Sequence, residues 1–189
     1  MSLADYRGRS PALLAIFRGL WCSFCRRAIA QMGVTRQKLQ ALGVETLGIV
    51  ATKTENARLY FRFHPTRLPL AADPELITHR AYGIPKPPTT PELMQALQEV
   101  LANPTGELPE PLPLAEIGNA LDRLDGFKRT EADQADLVRQ FPQLIGQVLV
   151  DRDGIVRWVN IECAKGGVAT LGMIPADEEL VAAARIVSG

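Results

Sequence analysis

Hydrophobic and polar positions follow two alternating periods along the first part of the chain. Residues 11–18, Pro-Ala-Leu-Leu-Ala-Ile-Phe-Arg, are a short apolar run, the pattern of a strand covered on both faces. From Cys22, the apolar residues Phe24, Ala28, Ile29 and Met32 recur at helical spacing as far as Gly33, and residues 34–42 continue as a second helical stretch before Gly43. Residues 44–51 are rich in β-branched side chains and predict a second strand, and Thr52-Lys53-Thr54-Glu55 opens a helix running to about Phe63. A short third strand is expected over 68–72. Asp73-Pro74-Glu75 then supplies a cap, a proline and an acid for a helix that reaches Tyr82.

The pattern changes at Pro85. A proline-rich stretch follows, yet Thr90-Pro91-Glu92 caps an amphipathic helix carrying Leu93, Leu97, Val100 and Leu101. Residues 114–124 and 130–141 predict two more helices, the first with Ile117, Leu121 and Leu124 on one face. Residues 86–146 are therefore expected to form a helical insertion within a single domain spanning 1–189. After it, residues 147–150 and 155–161 flank the turn signal Asp151-Arg-Asp-Gly154 and predict an antiparallel hairpin. A last helix runs from Pro175 to about Val187, with Leu180, Val181, Ala184 and Val187 as its buried stripe. The order is β-α-β-α-β-α, the insertion, then β-β-α, an α/β class with a parallel strand pair at its start.

Composition narrows the function. The 189 residues are 47% hydrophobic, enough for a sizeable core, and Lys plus Arg equals Asp plus Glu at 21 each. A balanced charge offers no field to draw the chain to nucleic acid or an anionic membrane, so neither is an expected partner. The early apolar run closes at Arg18, far short of the roughly 20 residues that span a bilayer. No basic n-region with a long apolar stretch precedes it, so the expected compartment is cytoplasmic.

Three cysteines do not make a disulfide scaffold, and two of them stand in Trp21-Cys22-Ser23-Phe24-Cys25. A Cys-x-x-Cys between a strand and a helix sets its first sulfur among unpaired backbone N–H groups, where the helix dipole favours thiolate. Such sites bring the first thiol to roughly 3.5–7, against about 8.5 for a free one. Cys22 is thus the expected nucleophile, and Cys25, nearly one turn on, the resolving thiol. Arg18, at the end of the strand beside the site, would stabilise the thiolate, whereas Arg26 and Arg27 read as surface charge. Trp21 is either a wall of the substrate site or core packing. A zinc site would need two further ligands from Cys163, His64 and His79, which lie on distant segments, so no metal is expected. Cys163 reads as a small buried hydrophobe and both histidines as structural.

The stretch from Leu3 to Arg9, the motif from Phe17 to Cys25, Ala72-Asp73, Ala81-Tyr82-Gly83 and the hairpin from Gly146 to Ile155 together resemble the peroxiredoxin-like branch of the alkyl hydroperoxide reductase/thiol-specific antioxidant (AhpC/TSA) family. The resemblance implies a thioredoxin-like fold, a central mixed sheet flanked by helices, with the insertion before the C-terminal hairpin. It also implies an attacking cysteine at Cys22 and reduction of a disulfide or hydroperoxide substrate without a bound cofactor. Three positions depart from the family pattern. Where peroxiredoxins carry Pro-x-x-x-Thr-x-x-Cys, this chain has Ala15 and Gly19, and Ile145 stands at the second arginine position. Gly146, beside the place where thioredoxins hold substrate next to a cis-proline, is the remaining candidate substrate-binding residue. Pro142 lies too far back to be aligned with that proline.

Three functions follow as expectations. A dithiol-disulfide oxidoreductase would be reset by a thioredoxin-like or glutathione reductant. A peroxidase would pass through a Cys22 sulfenic acid. A non-catalytic module would use the insertion as its contact surface. By the same resemblance the chain starts past the family's first strands, so the expected sheet edge is either shortened or completed by a partner, as in a homodimer.

Overall fold

Residues 12–17 form β1 (Ala12–Phe17), a strand buried at every position. Its period of two divides it between cores: Leu13, Ala15 and Phe17 enter one with Ile29 and Met32, while Leu14 and Ile16 enter another with Leu47, Ile49 and Val148. The computed structural model describes residues 3–188; Met1, Ser2 and Gly189, at the ends of the expected domain, lie outside the described residues. β1 is the middle strand of a five-stranded sheet. It pairs in parallel with β2 (Glu45–Val50), which pairs in parallel with β3 (Leu70–Ala72). On its other side β1 pairs antiparallel with β6 (Gly146–Val150), and β6 pairs antiparallel with β7 (Val156–Ile161). This is the expected thioredoxin-like α/β architecture, a mixed sheet flanked by helices and ending in a β-hairpin.

Several elements differ from the sequence reading for local reasons. The predicted break at Gly33 is absent, and α1 (Ser23–Gln40) is one helix. A glycine inside a helix costs about 1 kcal/mol relative to alanine, which the buried face from Phe24 to Leu39 outweighs. The helix expected at Asp73 begins later, as α3 (Ile77–Ala81), because Leu76 is left-handed at φ 57°. Asp73 still caps it, its carboxylate accepting from the N–H groups of Ile77 at 3.0 Å and Thr78 at 2.7 Å. Between β2 and β3 lies α2 (Thr54–Phe63).

The segment 86–146 holds α4 (Pro91–Glu99), α5 (Leu114–Asp125) and α6 (Glu131–Gln140), and also a short ribbon pairing β4 (Leu101–Ala102) with β5 (Leu112–Pro113). Val100 turns extended, so Leu101 leaves the helical stripe and is exposed. Leu124 is exposed too, whereas Ile117 and Leu121 are fully buried. Leu97, Leu114, Ile117 and Leu121 enter the same core as Phe24, Cys25 and Leu149, so the segment folds back onto the sheet. The closing helix α7 (Asp177–Arg185) packs beside α1, and no helix among the described residues is long and apolar enough to cross a membrane.

Because Ile117 joins α5 to this core, Ile117→Ala is expected to lower stability by about 2–5 kcal/mol. Urea denaturation should show it as one shifted transition for the whole chain. A separate early transition would mean that the segment 86–146 folds apart from the sheet.

Candidate active site

The sheet topology gathers the site at one edge. β6 runs antiparallel to both β1 and β7, so the C-terminal ends of β1 and β7 and the N-terminal end of β6 lie together, next to the start of α1. Cys22 is the N-cap of α1, with extended backbone, and its Sγ accepts from the Cys25 N–H at 3.3 Å. Both cysteines are buried free thiols, Cys22 at 4% exposure and Cys25 at 0%.

Arg18 follows β1 and is buried, its guanidinium Nη2 donating to both carboxylate oxygens of Glu162. Glu162, just past β7, also accepts from the N–H groups of Ile145 at 3.2 Å and Gly172 at 2.7 Å. These donors satisfy both oxygens of a carboxylate that would otherwise be buried without partners. Sequence reasoning missed Glu162, although an arginine closing a strand expected to be covered on both faces was a signal that a counter-ion had to exist.

The two thiols are pushed in opposite directions. Burial alone would raise Cys22, but a hydrogen bond from the Cys25 thiol, the Arg18 charge and the Cys25 N–H together lower it to about 7. Burial, donation to Cys22 and the Cys22 charge hold the Cys25 thiol well above its ordinary value. Burial works against the charge on Arg18, yet Glu162 and the two cysteines hold its pKa above the usual arginine range.

Trp21 is buried and donates from Nε1 to Gln140 Oε1 at 2.7 Å, and Gln140 Nε2 in turn donates to the Ala51 carbonyl. Gly19 makes room for this pair. At φ 153°, a Cβ there would lie 2.6 Å from Gln140 Oε1 and 2.7 Å from Trp21 Nε1. A threonine at 19 is therefore incompatible with the Trp21–Gln140 contact, which accounts for that departure from the peroxiredoxin signature.

Above Cys22 lies a cavity of about 230 Å³. Arg18, Trp21, Ser23 and Phe24 form its floor, and the segment 86–146 roofs it with residues such as Leu97, Leu114, Leu137 and Phe141. The Phe141–Pro142 peptide is cis, so the chain has a cis-proline shortly before β6 at a position the residue count had set aside.

Gly146 is not brought to this cavity. A Cβ on it would point at Ile84 in the second core, on the opposite face of the sheet from Cys22. Arg26 and Arg27 are not simple surface charges. Arg26 is buried, donates to the Leu20 carbonyl at 2.9 Å and to Asp122 at 2.5 Å, and stacks on Phe127. Arg27 pairs with Glu107 and Asp125, so the two arginines tie α1 to the segment 86–146. His79 is fully buried with no hydrogen-bond partner for either ring nitrogen, and burial pushes it down to about 4. Cys163 is half-buried at φ 65°, and burial raises its thiol to about 11, so it remains protonated at neutral pH. Among the described residues, no three His, Cys, Asp or Glu side chains are grouped as metal ligands.

Comparison with known proteins decides the family. A model described as the AhpC/TSA family matches residues 1–110, more than half of the chain. The chain belongs to the AhpC/TSA family. As a member of the AhpC/TSA family it is a thiol-based oxidoreductase with a Cys-x-x-Cys pair held close together. No curated protein matches it. Solved structures share the thioredoxin-like fold at low identity. The Xanthomonas campestris bacterioferritin comigratory protein superposes with a TM-score of 0.58 at 10% identity, covering 100% of this chain and 86% of its own. The 2-Cys peroxiredoxin of Plasmodium vivax gives 0.57 at 11%, covering 99% and 82%. A secreted thiol-disulfide isomerase from Corynebacterium glutamicum gives 0.53 at 13%, covering 100% and 75%. The AhpC/TSA chain thus shares its fold with peroxide-handling and disulfide-handling proteins alike.

A thiol lowered to about 7 is largely thiolate above that pH and protonated below it. Iodoacetamide labelling of Cys22, followed by mass spectrometry, should therefore rise through a midpoint near pH 7. Arg18→Gln combined with Glu162→Gln leaves no buried ion unpaired and should move the midpoint up. Arg18→Gln alone should move it further and cost about 3–5 kcal/mol of stability, because Glu162 is left uncompensated. An unmoved midpoint in the double variant would remove Arg18 from the electrostatics of the thiol.

Proposed function

We propose that this chain is a dithiol-disulfide oxidoreductase in which Cys22 attacks and Cys25 resolves. The observation that carries the reading is the opposed tuning of the two thiols: Cys22, at the helix N-terminus and beside Arg18, is lowered to about 7, while Cys25 is held protonated. In the first step the Cys22 thiolate attacks one sulfur of a substrate disulfide, forming a mixed disulfide and expelling the other half as a thiolate. Cys25 then loses its proton to that leaving thiolate. Its sulfur attacks Cys22 and releases the second half, so the substrate gains two electrons and the enzyme holds a Cys22–Cys25 disulfide. Two thiols of a thioredoxin-like or glutathione reductant restore the pair, and a reducing cytoplasm would supply them.

A second reading is supported by family membership and by the small cavity over Cys22. A hydroperoxide is small enough to reach the thiol of a residue that is 4% exposed. Cys22 would take the terminal oxygen to become a sulfenic acid, the alkoxide leaving as an alcohol with a proton, and Cys25 would condense with the sulfenic acid to release water. Arg18, which lines the cavity beside Cys22, is a candidate donor in place of the absent threonine. The lowered Cys22 thiol supports either chemistry over a non-catalytic module.

Turnover of a small disulfide and of an alkyl hydroperoxide, each coupled to a thiol reductant, separates the two readings. Cys22→Ser is expected to abolish both activities. Cys25→Ser should keep the first attack but stop turnover, leaving a mixed disulfide on Cys22 visible in the intact mass. Full activity of Cys22→Ser in both assays would overturn the assignment.

A further inference from the structure

The cavity over Cys22 has a chemical character that the reaction alone does not specify. Its charged lining residues are Arg18 and Arg129, and no carboxylate lines it. Arg18 is compensated by Glu162. Arg129 shares its carboxylate, since the Asp122 it meets at 2.9 Å also serves Arg26 at 2.5 Å. Three buried polar atoms of the lining residues have no hydrogen-bond partner in the protein, Arg18 Nε, Ser23 Oγ and Arg129 Nε, and the last two stand on either side of one gap. Buried polar groups are paired as a rule, and exceptions that line a cavity mark where a ligand's polar group goes.

Gly118 marks the same spot independently. It lies inside α5, where glycine costs about 0.5–1 kcal/mol relative to alanine. A Cβ there would sit 3.8 Å from Arg129 Nη2 and 3.9 Å from Ser23 Oγ, ordinary contacts that an alanine would tolerate. The missing side chain therefore keeps open a space flanked by a guanidinium and a hydroxyl, one residue from Cys22. Apart from Asn119, the rest of the roof is apolar, from Leu97, Leu114, Leu137 and Phe141. At about 230 Å³ the cavity is smaller than the roughly 300–1,000 Å³ of sites for drug-sized ligands, a size that suits a small molecule.

We propose that this cavity binds a small free molecule with an apolar body and a single carboxylate, the carboxylate lying over Gly118 between Arg129 and Ser23 and the body against the α4–α6 roof. Charge-assisted hydrogen bonds to a guanidinium are about twice as strong as neutral ones, so a carboxylate is preferred over an amide of the same shape. An inorganic anion would leave the apolar wall unused. The assignment rests on the proposed reaction only in taking this ligand for the substrate, with its S–S or O–O bond presented to Cys22.

The test reads binding without catalysis. Calorimetric titration of the Cys22→Ser protein with benzoate and with isosteric benzamide should show benzoate at least tenfold tighter. Arg129→Gln should bring benzoate to the benzamide level. Gly118→Leu, which fills the space and favours the helix, should abolish benzoate binding with the melting temperature unchanged or raised. In the wild type, benzoate should slow iodoacetamide labelling of Cys22. Absence of benzoate binding, equal affinity for the two probes, or full binding by Gly118→Leu overturns the proposal. Because binding is read in a protein without its nucleophile, these failures are distinct from failure of the reaction, which shows as an active Cys22→Ser enzyme.

Discussion

The site depends on one buried ion pair. Taking Arg18 and Glu162 out of water costs several kcal/mol per ion, and their attraction repays this only where other donors satisfy the carboxylate. The fold supplies them: the Ile145 N–H precedes β6, the Gly172 N–H comes from the loop before α7, and Arg18 follows β1. All three reach the same edge because β6 runs opposite to both of its neighbours. The pair therefore sets a cation beside Cys22 without a free positive charge, and the thiolate is favoured by an arginine whose own position is fixed by strand order.

The segment 86–146 changes what such a thiol can meet. In an open Cys-x-x-Cys site the first sulfur faces solvent at the helix tip. Here α4, α5 and α6 cover it, and Arg26 and Arg27 fasten that cover to α1 through Asp122, Asp125 and Glu107. Access then depends on the volume and lining of a small, partly covered space. The Trp21–Gln140 hydrogen bond fixes one wall of that space to the end of α6, so the cover and the cysteine loop are held by polar contacts as well as by packing.

Much of this was legible in the residues. β1, β2, the hairpin and the start of α1 were visible because each carries its own period and its own stop signal, and the Cys-x-x-Cys stood where a strand gives way to a helix. What was hidden depends on residues far apart in sequence. Glu162 looks like any acid at a strand end until β7 is placed two strands from β1. Gly33 resembles a helix stop because its packing partner, the backbone at Arg67 and Leu68, belongs to another segment. Leu124 matched the helical stripe by spacing, but the core under α5 ends at Leu121. Gly146 was the position next to a site in sequence that faced away from it in space, because alternation along β6 turns it toward Ile84 while Leu149 faces α1. Neighbourhood along a strand fixes the edge and leaves the face to parity.

Arg18 and Glu162 are 144 residues apart. On a growing chain the cysteine motif emerges early, and the anion that seats its arginine is made only after β7. Closing so long a loop has little to reward it before the sheet is assembled. Until β7 docks, Arg18 therefore has no buried carboxylate to seat it beside Cys22. The ion pair ties the placing of the active-site arginine to completion of the fold that covers it.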